Sequence, residues 1–179
     1  MKNPFSYIPK QRGFTLVETL IAIAVLMISI AGPLVVASKG LNSALFARDQ
    51  MVASLLAQET LELVKNIRDN NVGGETPQDW LTSIDSCTSQ TSACDISAYN
   101  LQVQSCNADN GECVLYYSED EGYNSDSLGS QSIFTRYFYL TDEVNGTAPE
   151  KRLTVVVGWT HGTLGNEITL KSVLIDAKR

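Results

Sequence analysis

The sequence predicts an α+β protein in which one long N-terminal helix spans a membrane with its first half and packs on an antiparallel β-sheet with its second. Three observations predict it. Between Phe14 and Ala37 there are 24 residues, and Glu18 is the only charged one; about 20 apolar residues suffice to cross a bilayer as a helix. The next thirty or so residues place apolar side chains at helical spacing. Beyond Tyr99, short alternating runs are separated by turn residues, the pattern of strands.

Residues 1–13 (MKNPFSYIPKQRG) are short, basic and interrupted by Pro4 and Pro9, so they read as a leader peptide and not as part of the fold. The whole chain carries a formal charge of −7. Lys2, Lys10 and Arg12 all precede the apolar run, so residues 14–179 hold 10 basic against 20 acidic residues, a net −10. A basic flank before a span predicts a cytoplasmic N-terminus and a translocated body. An acidic body offers no basic patch for phosphates, which excludes nucleic acid as the expected partner.

Residues 14–37 are the expected transmembrane helix, loosened or kinked at Gly32-Pro33, because proline removes a helical hydrogen bond. Residues 38–71 continue it as an amphipathic helix. Leu41, Leu45, Val52, Leu56, Leu63 and Ile67 recur at steps of 4, 7, 4, 7 and 4, with charged residues such as Arg48, Glu59 and Arg68 largely between them. Asn70-Asn71 and then Gly73-Gly74 supply the stop. A continuous helix from Phe14 to about Asn70 would measure about 85 Å.

Residues 72–98, rich in Gly, Ser, Thr and Asp, read as a long connection with a short helical turn at Pro77–Ile84. Residues 99–179 form the expected antiparallel β-sheet domain. Tyr99–Cys106 and Cys113–Tyr117 are read as a hairpin around Asn110-Gly111, followed by an acidic loop over Ser118–Ser132. Ile133–Leu140, Leu153–Trp159 and Glu167–Ile175 are three further strands, with turns at Val144-Asn145-Gly146-Thr147 and His161–Gly165, which together predict a meander.

Cys87, Cys94, Cys106 and Cys113 are an even set on the translocated side, spaced C-x6-C, eleven residues, C-x6-C. Structural zinc sites usually separate paired cysteines by two to four residues, so disulfides are the better reading. Local closure favours Cys87–Cys94 with Cys106–Cys113. The nested pairing, Cys94–Cys106 with Cys87–Cys113, remains open.

Glu18 is the residue that asks for a function. A carboxylate inside an apolar span is costly, and no basic residue follows it before Lys39. Its partner must be a lipid headgroup, a proton or another polypeptide. The surrounding stretch, Arg12-Gly13-Phe14-Thr15-Leu16-Val17-Glu18-Thr19-Leu20, resembles the class III signal of type IV pilins and type II secretion pseudopilins. The matching features are basic residues before Gly13, Gly13 itself, Phe14, and Glu18 as fifth residue of the mature chain. The resemblance covers roughly residues 10–70, and the later part of the helix is similar to minor pilins. It implies a pilin-like fold, cleavage between Gly13 and Phe14 by a prepilin peptidase, N-methylation of Phe14, and assembly with other pilin or pseudopilin subunits through Glu18. The expected location is the bacterial inner membrane, then outside the cytoplasm in a pilus or pseudopilus.

The competing readings are a plain signal anchor, conventional cleavage after Val35-Val36-Ala37, a type II secretion minor pseudopilin, and a membrane-anchored adhesin that never polymerises. The mature N-terminus separates the processing alternatives: Phe14, Met1 or Ser38. Asp109–Glu112 and Glu119–Asp126 are acidic enough to suggest calcium, but neither has the ligand spacing of an EF-hand loop. His161, the only histidine, is read as surface structure in a turn. No nucleophile motif, phosphate-cradling loop or metal-ligand cluster is present, so neither an enzyme nor a cofactor is expected.

Overall fold

The computed structural model describes residues 13–142 and 150–176. The leader up to Arg12 and the turn expected at Val144–Thr147 lie outside the described residues. One helix, α1 (Leu16–Gly73), precedes seven strands: β1 (Ala93–Ile96), β2 (Val103–Cys106), β3 (Val114–Ser118), β4 (Gly122–Asn124), β5 (Ser130–Asp142), β6 (Glu150–His161) and β7 (Leu164–Ile175). The chain divides into two compact units, one ending at Leu45 and the other beginning at Phe46.

In the first unit every residue from Gly13 to Ala44 is exposed. The helix satisfies its own backbone and is long and apolar enough to cross a membrane. It runs without a break through the expected kink at Gly32-Pro33. Pro33 has no N–H, so the carbonyl of Ser29 loses its helical donor, yet the helical assignment holds across the site.

In the second unit α1 buries a stripe one position away from the expected one. Asp49, Ala53, Leu56, Ala57, Thr60 and Val64 are buried, whereas Val52, Leu63 and Ile67 are only half-buried and Leu41, in the first unit, is exposed. Ala53 and Ala57 are fully buried beside Leu56, so small side chains occupy much of the buried face. Thr60 keeps its hydroxyl satisfied there by donating to the Leu56 carbonyl at 3.0 Å.

The sheet is antiparallel throughout but is not a simple meander. β5 is its axis: one edge pairs with β6, and the other pairs with β3 through Thr135 and with β1 through Cys94 opposite Phe138. β5–β6–β7 pair in sequence order, while β1–β2 and β3–β4 are separate antiparallel pairs. β6 and β7 turn through Gly162 and Thr163, with Gly162 at φ 65°, a left-handed position that glycine takes without strain.

Three expectations are corrected. The connection over 72–98 ends in a strand, β1, whose Ala-Cys-Asp-Ile sequence is buried at every position and therefore shows no alternation to read. The strand expected from Tyr99 shrinks to β2 and pairs with β1, so the Asn110-Gly111 hairpin with β3 does not form. Asn107 instead folds its loop back on itself, accepting from the amides of Asp109 and Asn110, while its own amide donates to Glu112. The acidic loop 118–132 contains the short strand β4. The helix-facing side of the sheet presents Phe134, Phe138, Leu140, Leu153, Val155, Val157 and Trp159, which with Leu56 and Val64 make the core.

Candidate functional site

The start of α1 is built by a few residues around Thr15. Gly13 is non-helical and Phe14 is 78% exposed. Thr15 is the N-cap: its hydroxyl oxygen accepts the amide of Glu18 at 3.3 Å, and its carbonyl accepts the amide of Thr19 at 3.2 Å. The sequence Thr-x-x-Glu is that of a capping box, and the cap satisfies one of the four amides a helix start leaves open. Glu18 thus stands in the first turn, where a carboxylate also meets the positive end of the helix dipole. Its carboxylate forms no ion pair among the described residues. The Gly13–Phe14 bond precedes the cap, in non-helical backbone.

A second polar constellation lies in the sheet domain, and sequence reading missed it. Arg136, on the helix-facing side of β5 between Phe134 and Phe138, is fully buried. Its Nε donates to Asp95 Oδ1 at 2.7 Å and its Nη2 to Asp95 Oδ2 at 3.2 Å, a bidentate pair. Nη2 also donates to the Ile96 carbonyl at 2.6 Å, and Nη1 to Glu59 Oε2 of α1 at 2.9 Å. Burial works against the guanidinium charge, but Asp95 and then Glu59 outweigh it and hold the group above its ordinary range. The residue ties α1, β1 and β5 together. The available signal was parity: in a period-2 strand Arg136 shares a face with Phe134 and Phe138, but Ile133, Tyr137 and Tyr139 make the other face equally apolar, so parity alone does not say which face is buried.

The structure joins Cys87 to Cys94 and Cys106 to Cys113, each over a sequence separation of 7. The first bridge is buried, and the Cys87 carbonyl accepts the amide of Leu140, pinning the loop to β5. His161 closes β6 and pairs with Leu164 across the turn. Among the described residues no three or more carboxylates, histidines or cysteines gather into a metal-sized group. In the acidic segments, Gln104 donates to Asp126.

On one side of α1 a groove of about 600 Å³ is lined by Arg48, Asp49, Tyr123 and Phe134 among others. Arg48 lies over Asp49 with Nη2 at 2.8 Å from Oδ1. Tyr123 packs edge-on against Tyr117 at 5.1 Å and against Phe134 at 5.4 Å. Burial raises the pKa of its phenol, with Tyr117 and Asp49 acting in the same direction and Arg48 against.

Residues 8–32 match the prokaryotic N-terminal methylation motif, the class III prepilin signal, which is consistent with the type IV pilin and pseudopilin family. No curated protein and no solved structure matches the chain.

Proposed function

We propose that this chain is a minor pilin subunit of a type IV pilus or a pilus-like machine. A prepilin peptidase cuts between Gly13 and Phe14 and methylates the new amine. The helix then anchors the subunit in the inner membrane, cytoplasmic end first, until other pilin or pseudopilin subunits take it into a filament. The observation that carries this reading is the methylation motif overlapping an exposed apolar run, residues 14–37, whose single charge is Glu18.

The physics of that arrangement is specific. Cleavage places a positive amine at Phe14, one helical turn from Glu18. Within a bundle of apolar helices the Glu18 carboxylate of one subunit pairs with the Phe14 amine of its neighbour. Leaving one member of such a pair buried alone costs about 3–5 kcal/mol, so Glu18 selects the register of assembly more than it adds stability. The type II secretion pseudopilus is served by the same motif, and a non-polymerising adhesin would keep the anchor without the register.

The test uses Glu18→Ala and Glu18→Gln in the full chain. Both variants are expected to insert in the membrane and to yield a mature N-terminus at methylated Phe14, but to be missing from sheared, sedimented filaments. Normal incorporation of either variant would sink the assembly role. A mature N-terminus at Met1 or Ser38 would sink the processing.

A further inference from the structure

The groove beside α1 continues past the volume described above. A second hollow of about 240 Å³ adjoins it, sharing Val52 and Tyr123 and ending at Glu59. The smaller hollow has apolar walls, Val52, Leu55 and Leu56 from the helix with Tyr123 from the sheet, while Phe134 lines the larger one together with the polar Gln131 and Ser132. From this groove we infer a docking surface for a partner polypeptide, one that inserts a lysine or arginine side chain with its aliphatic stem along the walls and its cationic head at Glu59.

Charge is the first argument. Asp95 alone already neutralises Arg136 through its two-point contact, and Glu59 is a second carboxylate on the same guanidinium. The cluster therefore carries one excess negative charge, and it sits on the residue that lines the hollow, its side chain 41% exposed. At the far end Arg48 and Asp49 form a pair of zero net charge. Glu59 thus gives the groove an acidic end.

The walls supply the second argument. A long basic side chain buries its methylene stem on apolar surface while its head stays polar. A cation is also attracted to the ring of Tyr123. An acidic side chain would meet Glu59 with like charge. A purely apolar one would strip water from the Glu59 carboxylate with nothing in return. The net −10 of residues 14–179 steers basic partners toward the whole body, and the groove gives that attraction a place to dock. This surface is independent of whether the chain polymerises.

The experiment measures anisotropy of fluorescein-labelled pentalysine titrated into the full chain in neutral detergent micelles at low salt. Saturable binding is expected, weakened about tenfold by Glu59→Gln and at least as much by Leu55→Lys, which places the chain's own cation in the hollow at an exposed position. Leu128→Lys, an equal charge change at an exposed position in the acidic loop, should alter affinity by less than about twofold. Circular dichroism checks that each variant is folded, and Leu55→Lys decides the matter where Glu59→Gln is not. The proposal is overturned by non-saturable binding, by equal weakening from Leu128→Lys, by unchanged affinity in Leu55→Lys, or by pentaglutamate binding as well as pentalysine.

Discussion

At the scale of single residues, Glu18 and Arg136 are both charges in costly places, and they differ in how they can be read. Glu18 stands out in the sequence because nothing else in its apolar run is charged. Arg136 does not, because Ile133–Leu140 scans as a strand whichever way its charge faces, and the partners Asp95 and Glu59 are 41 and 77 positions away. Arg136→Met is expected to destabilise the sheet domain by about 3–5 kcal/mol, since it leaves Asp95 buried without its cation. Adding Asp95→Asn should restore part of that loss, and urea unfolding of both variants measures it. Tyrosine gives a pH prediction. Burial raises the phenols of Tyr123 and Tyr137 above 10.0, in Tyr137 with help from Glu167, Tyr139 and Asp109. The folded state therefore favours their protonated forms. That contribution is fully present below about pH 10 and is lost as pH rises through the higher folded values. A tyrosinate absorbance titration should show late-titrating phenols in the folded chain that join the rest on unfolding.

At the scale of elements, the long helix and the strands β5, β6 and β7 were legible because each has a periodic face. The stripe of α1 lies one position from the expected one because its fully buried positions include Ala53, Ala57 and Thr60, which a search for large apolar residues passes over. Ala57→Leu is expected to force the helix off the sheet at a cost of about 1–3 kcal/mol, read as a lower urea midpoint. β1 and β2 were illegible for a different reason. A buried four-residue strand carries no alternation, and the Asn-Gly signal that suggested a hairpin is spent on a turn closed by Cys106–Cys113. The two bridges also differ in what their loss exposes. Replacing both cysteines of either bridge by serine costs about 2–3 kcal/mol through loop entropy. The Cys87–Cys94 replacement should cost more in the same urea assay, because it buries two hydroxyls where Cys87 and Cys94 are at 0% and 2% exposure.

At the scale of the whole molecule, charge partition makes the proposed processing visible without sequencing. Loss of residues 1–13 removes three basic side chains and no acidic ones, while methylation leaves the new amine charged. The processed chain should focus below the intact chain's isoelectric point of about 4.6, and a peptidase-deficient background should return it. The architecture was legible at this scale because a run long and apolar enough to cross a membrane, an amphipathic continuation and a run of strands occupy separate stretches of the chain. The topology was not, because strand order rests on pairings that no local pattern announces. That contrast also sets a sequence in time. Each disulfide joins cysteines seven positions apart, whereas β1 waits for Phe138, forty-four positions beyond its partner Cys94. Chain segments of about ten residues close in roughly 10–100 ns, while distant strands pair far more slowly. An emerging chain in an oxidising compartment therefore meets its cysteine partners before β5 is there to arrange them. The thiol pairs thus meet without help from the sheet, and the oxidation step, on the order of seconds to hours, sets when each bond is made.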